Sequence, residues 1–156
     1  MFRINIIAVG KNKDDWVESA VGHYLKLLKK FAQVSIDYIP DIKKAKSLSD
    51  KEIKKAEASL VSEKMKSAYN IALSDKGRSY DSTAFARRLE NIFRQSAGSC
   101  NIIIGGVYGL DGSILDASQE IISLSSLTMS HQLIRLVLLE QLYRGFTIIL
   151  GGNYHK

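Results

Sequence analysis

Cysteine and proline occur once each in this 156-residue chain, and no long apolar run is present. A lone Cys100 excludes an internal disulfide framework and a cysteine-based zinc site, which fits a reducing cytoplasm. A single proline, Pro40, beside a 46% hydrophobic content excludes collagen-like, mucin-like and disordered chains. The opening Met1 to Val9 is apolar but only strand-length and is broken by Arg3 and Asn5, so it reads as neither an export signal nor an anchor. No stretch approaches the ~18 apolar residues of a membrane span. What is present is enough apolar material, at this length, for one ordinary core and one domain covering residues 1–156.

Acidic residues are the minority, 16 against 22 Lys plus Arg, for a formal charge of +6. The imbalance is uneven along the chain. Residues 1–100 carry 19 basic and 12 acidic side chains, whereas residues 101–156 carry 3 and 4. The densest basic stretch holds Lys43, Lys44, Lys46, Lys51, Lys54, Lys55, Lys64 and Lys66. It reads either as a solvated helix face or as a surface for a polyanion such as a phosphate backbone. No aromatic residue is interleaved there, so any nucleic-acid contact from it is electrostatic rather than base-stacking.

Short β-rich runs alternate with longer segments of helical period, the pattern of an α/β fold on a largely parallel sheet flanked by helices. The predicted strands are Ile4 to Val9, Val34 to Ile39, Tyr69 to Leu73, Ile102 to Ile104 and Ile121 to Leu124. Trp16, Val17, Ala20, Tyr24, Leu27, Leu28 and Phe31 recur at three and four, which predicts a helix with that face inward. Ser49 followed by Glu52 predicts a capping box. A third helix is expected from Ser82 to Gln95 with Phe85, Leu89, Ile92 and Phe93 inward and Gly98 as its stop. The last helix, from about His131 to Tyr143, is apolar around most of its circumference, interrupted by Arg135, Glu140 and Gln141. One sheet cannot cover all of that, and a second subunit is the economical cover. Glu140 and Arg144 are spaced to pair, and Phe146 to Leu150 reads as strand-like.

Chemistry concentrates late in the chain. A strand running into Gly105-Gly106, with Gly109 beyond, brings backbone close to a ligand or makes a tight turn at the sheet's carboxyl edge. The spacing matches neither a P-loop nor the dinucleotide fingerprint, so nucleotide hydrolysis and hydride transfer lose ground. The tail Gly151-Gly152-Asn153-Tyr154-His155-Lys156 has the composition of a loop folded back over a site. His131, Arg144, Tyr154 and His155 form a useful set around an acidic substrate. Each also has a plain structural reading: helix terminus, partner of Glu140, packing residue, solvated end.

Together these segments resemble the RlmH family of SPOUT methyltransferases. The resemblance spans the chain through Ile7-Ala8-Val9-Gly10-Lys11, Trp16, Ile104-Gly105-Gly106, Leu124-Ser125 with Leu127-Thr128, His131-Gln132-Leu133, Arg135, the run Glu140 to Arg144, and Tyr154-His155. It implies S-adenosylmethionine-dependent methylation of pseudouridine N3 in 23S ribosomal RNA, in the helix 69 region, on the large subunit or the assembled 70S ribosome. It also implies a SPOUT-type fold with a deep C-terminal trefoil knot, a cytoplasmic homodimer, and neither metal nor membrane.

By the same resemblance the cofactor lies against Leu73, Gly105, Gly106 and the loop Ser125, Ser126, Leu127, Thr128, Met129, Ser130. The substrate-facing set is His131, Arg144, Tyr154 and His155, with Arg135 serving either the substrate or the dimer. Many relatives carry Leu-Asp where this chain has Leu73-Ser74, with Asp75 one position later. Methyl transfer to an imide nitrogen needs in-line approach and loss of the N3 proton, so it calls for a base or a cation that stabilises the developing charge. A transfer-RNA methyltransferase of the same fold and a non-catalytic ribosome-binding protein are the alternatives.

Overall fold

The computed structural model describes residues 1–42, 47–65 and 69–156. In chain order the elements are β1 (Phe2–Val9), α1 (Asp15–Leu28), β2 (Ala32–Ile39), α2 (Asp50–Lys64), β3 (Tyr69–Ser79), α3 (Ser82–Gln95), β4 (Ser99–Ile104), α4 (Gly112–Asp116), β5 (Glu120–Ser123) and α5 (His131–Ile149). The five strands form one sheet in the order β2-β1-β4-β3-β5, and every pairing is parallel. All five loops that leave strand carboxyl ends therefore open on one edge.

Alternation along the central strands builds two cores. Ile4, Ile6 and Ala8 of β1 and Cys100, Ile102 and Ile104 of β4 meet α1, α3 and α5, whereas Ile7, Val9 and Ile103 meet α2 and α4 on the opposite face. Phe146 of α5 anchors the larger core, stacked against Phe2, Phe31 and Phe93 at 5.7, 5.7 and 5.8 Å. Ser49 and Glu52 form the reciprocal capping box, and α3 has the expected bounds, with Asp81 as its N-cap. The chain leaves α3 through Ala97 and Gly98, whose N–H donates to the Phe93 carbonyl at 2.8 Å.

Four details depart from the sequence reading. Phe146 to Leu150 is not a strand: α5 runs on to Ile149, because burial of Phe146 and Thr147 against the other helices outweighs the β-propensity of the run. Trp16 is 60% exposed rather than inward, and Val17, Val21 and Leu28 carry the buried face of α1. β3 extends to Ser79 through an irregularity between Leu73 and Arg78 in its pairing with β5. Gly77 makes that possible, since a Cβ there would stand 2.6 Å from the Ile122 carbonyl carbon. Finally, the single-turn α4 carries no period long enough to read.

A polar cluster pins β5, the strand that feeds the candidate loop. Arg88 of α3 places its Nε 2.9 and 2.8 Å from the two Glu120 oxygens, and the Tyr80 hydroxyl donates to Glu120 at 2.9 Å. Burial pushes the Glu120 carboxyl up, but Arg88 and Tyr80 outweigh it and hold it below its ordinary value. Among the described residues no helix is long and apolar enough to cross a membrane.

Candidate active site

At the carboxyl edge, the loops after β3, β4 and β5 enclose a cavity of about 600 Å³, within the usual range for cofactor sites. Eight residues expected to hold the cofactor line it: Leu73, Gly105, Gly106, Ser125, Leu127, Thr128, Met129 and Ser130. Ser126 is exposed and is not among its walls. Leu73, Ile104, Leu124 and Ile134 supply apolar surface; Ser74 and Asp75, where the sequence departs from its relatives, add polar groups, as does Tyr108, which the motif reading had not placed there.

Local chemistry explains the shape. Gly105 has no Cβ because the chain itself comes close: a Cβ would meet the Gly109 carbonyl carbon at 2.8 Å. The glycine thus serves the turn to Gly109 rather than direct ligand approach. Ser125 Oγ accepts the Leu127 N–H at 2.9 Å, and Ser130 Oγ caps α5 by accepting the Leu133 N–H at 3.2 Å. Both hydroxyls are taken up in shaping the loop that lines the cavity. Ser74 donates to Asp75 at 3.4 Å, so a carboxylate stands on this wall although it is displaced by one residue.

The four expected substrate-facing residues separate into two groups. His131 lines the cavity at the start of α5. Burial first, and the nearby Arg135 and Lys13 charges, lower its pKa against the opposing pull of Asp41, so its imidazole is neutral near pH 7. Arg144, Tyr154 and His155 gather thirteen residues on, about 20 Å along the helix axis. There Arg144 pairs with Glu140 at 2.6 Å, lies 4.7 Å over the Tyr154 ring and approaches His155 Nδ1 at 3.4 Å. Tyr154 donates to Glu140 at 3.2 Å. Burial, then Tyr24 and Glu140, push the Tyr154 phenol up to about 12, so it stays protonated and is no base in this setting. The tail does fold back, but within one chain it covers the C-terminal half of α5 and not the cavity.

Arg135 has a different place from the one expected. It is fully buried and donates to the Val9 carbonyl at 2.5 Å, the Gly10 carbonyl at 2.6 Å and Asn12 Oδ1 at 2.9 Å. It serves its own chain, tying α5 to the end of β1. Of the lysine-rich stretch, Lys43, Lys44, Lys46 and Lys66 lie outside the described residues. Lys51 and Lys55 are exposed on α2, and the charges of Lys54 and Lys55 act on Asp111, whose carboxyl is held below its ordinary value chiefly by Ser113.

The family model for predicted SPOUT methyltransferases matches residues 2–155. The ribosomal RNA large subunit methyltransferase H of Halothermothrix orenii is 38% identical over 158 residues, covering 99% of each chain. That of Listeria monocytogenes is 39% identical over 157 residues, covering 98% of this chain and 99% of the relative. The chain belongs to the RlmH family of SPOUT methyltransferases. For this family member, solved structures of low identity agree on the fold. A methyltransferase from Bordetella pertussis gives a TM-score of 0.55 at 13% identity, covering 92% of this chain and 95% of that one. A Legionella pneumophila methyltransferase solved with its cofactor SAM gives 0.51 at 10% identity, covering 97% and 67%.

Proposed function

We propose that the chain methylates N3 of a pseudouridine in large-subunit ribosomal RNA, the helix 69 region of 23S RNA, with S-adenosylmethionine as methyl donor. The carrying observation is the 600 Å³ cavity lined by eight of the residues expected for the cofactor, in a chain that matches RlmH relatives end to end. The site fits such a group. Its apolar walls suit adenine and the loop backbone suits hydrogen bonding to it, while the α5 N-terminus favours a carboxylate and Asp75 a positive sulfur. When bound, the cofactor supplies a methyl group on a cationic sulfur that leaves as a neutral thioether as the N3–methyl bond forms.

The chain's own residues then orient the base and take up the N3 proton. Neutral His131, at the cavity wall, is suited to accept it, and the Arg144 guanidinium is suited to stabilise the developing imidate charge. Because Arg144, Tyr154 and His155 sit at the far end of α5, we infer that a second copy brings its own set to this cavity. The α5 apolar circumference, with Leu133 38% exposed, supports a homodimer built on this helix. A knotted C-terminal path, a cytoplasmic site of action and the ribosome as partner belong to the same reading.

S-adenosylhomocysteine well above its dissociation constant is expected to raise the thermal midpoint, by a stabilisation of about 2.7 kcal/mol at a hundredfold excess. Absence of both the shift and calorimetric binding would favour the ribosome-binding alternative. Replacing Lys51, Lys54 and Lys55 by glutamate is expected to weaken RNA binding and to flatten its log-log salt dependence by about 2. An unchanged slope returns α2 to a solvated face. Methylation of transfer RNA alone, with large subunits offered alongside, would overturn the choice of substrate.

A further inference from the structure

A second, smaller cavity of about 180 Å³ lies off the ends of β1 and β2 and shares Gly106, Val107, Tyr108 and His131 with the larger one. Lys13, Asp41 and Glu57 complete its polar lining. It is less than a third the size of the larger one and has room for a single pyrimidine ring.

Glu57 is the one charged residue in the buried stripe of α2. It lies on α2, whose buried stripe is otherwise Ile53, Ala58 and Val61, and it is itself only 6% exposed. A buried carboxylate needs hydrogen-bond donors, and the Ile42 backbone N–H supplies one. Burial and then Asp41 push its pKa up, while a backbone hydrogen bond from Ile42 pulls it down. Its carboxylate lies against the shared wall: a Cβ on Gly106 would stand 3.4 Å from each Glu57 oxygen. An acceptor thus faces one cavity directly behind the strand end that bounds the other.

Enzymes that modify a base extrude it from the stack and read its edge by hydrogen bonds in a pocket. Pseudouridine differs from uridine in one donor: its ring is attached through carbon, so N1 carries a hydrogen where uridine carries the ribose. N1 and N3 flank the same carbonyl, so a ring with N1 toward one wall turns N3 toward another.

We propose that the smaller cavity receives the target ring and that Glu57 accepts its N1–H, turning N3 toward the shared wall and the larger cavity. The assignment rests on the methyltransferase reading above. Lys13 offers a donor for a ring carbonyl, and His131 stands where both cavities meet. A uridine in this site offers no N–H to the Glu57 lone pairs that the Ile42 N–H leaves open, which is how a site built to hydrogen-bond a substrate N–H disfavours the analogue lacking it.

The test uses the full chain and large ribosomal subunits from cells that make neither the methylation nor the target pseudouridine, before and after pseudouridylation in vitro. Wild type is expected to prefer the pseudouridine-containing subunits by about 100-fold or more in kcat/KM. Glu57→Leu, which removes the acceptor, is expected to bring that ratio to within about threefold of unity, and Glu57→Gln, whose amide oxygen still accepts, to restore much of it. S-adenosylhomocysteine affinity, measured on each variant, is expected to stay within a few-fold of wild type. A wild-type enzyme that methylates both substrates equally, or a Glu57→Leu enzyme that keeps the preference, overturns the role of Glu57 while leaving the methyltransferase reading intact. Methylation of neither substrate by wild type overturns both.

Discussion

Replacing Arg135 by alanine is expected to destabilise the fold by roughly 3–5 kcal/mol, lowering the thermal midpoint by about 10 °C for a domain of this size. The side chain is fully buried in α5 and its guanidinium is divided among the Val9 and Gly10 carbonyls and Asn12. It also lies 5.5 Å over the Tyr38 ring. Burial lowers its pKa, yet a guanidinium remains charged, so truncation strips three acceptors of a cationic donor and opens a cavity behind them. Lysine is not a substitute, because one ammonium cannot reproduce the planar fork. The damage extends to the site. The same junction holds the Lys13 N–H on Gln132 Oε1 at 2.7 Å, and both Lys13 and His131 line the smaller cavity. Thermal or denaturant unfolding reads the effect, and a midpoint within 2 °C of wild type would mean that Arg135 does not clamp β1 to α5.

Arg144→Ala, Tyr154→Ala and His155→Ala are each expected to lower methyl transfer by about 100-fold or more while leaving S-adenosylhomocysteine affinity within a few-fold. The distance along α5 makes this a statement about two chains. His131 and the Arg144 cluster are about 20 Å apart in one copy, so a site that uses both draws them from different copies. Mixing two inactive variants, His131→Ala and Arg144→Ala, then regenerates one intact site in each mixed dimer. Random assortment gives about a quarter of wild-type activity. Absence of any recovery would place the whole site within one chain, and loss of cofactor affinity in the tail variants would make the tail structural.

The sheet and three of its helices are legible in the sequence because their cores follow simple periods. The runs at Ile4, Val34, Tyr69, Ile102 and Ile121 alternate or are wholly apolar, and Phe85, Leu89, Ile92 and Phe93 recur on one helical face. Where tertiary packing decides, the period misleads. Phe146 to Leu150 has strand composition, yet aromatic stacking on Phe2, Phe31 and Phe93 keeps it helical. Trp16 fits the α1 stripe by spacing and still faces solvent.

The loop proposed to hold the cofactor is singled out by motif resemblance, and the cavity that it lines lies where the general rule for parallel sheets puts ligand sites, at the carboxyl edge. The Glu57 cavity and the Arg88–Glu120 cluster are not legible, since each joins residues far apart in the chain that no periodicity links. The interruption of the apolar last helix at Arg135 was visible, and its cause, three acceptors at the end of β1, exists only in the fold.

The most direct test of the central claim is mass spectrometry of large-subunit RNA from cells with and without this chain. The account predicts a methylated pseudouridine in the helix 69 region that disappears with the gene and returns with the wild-type copy. An unchanged large-subunit modification profile in the cells lacking the chain would contradict it.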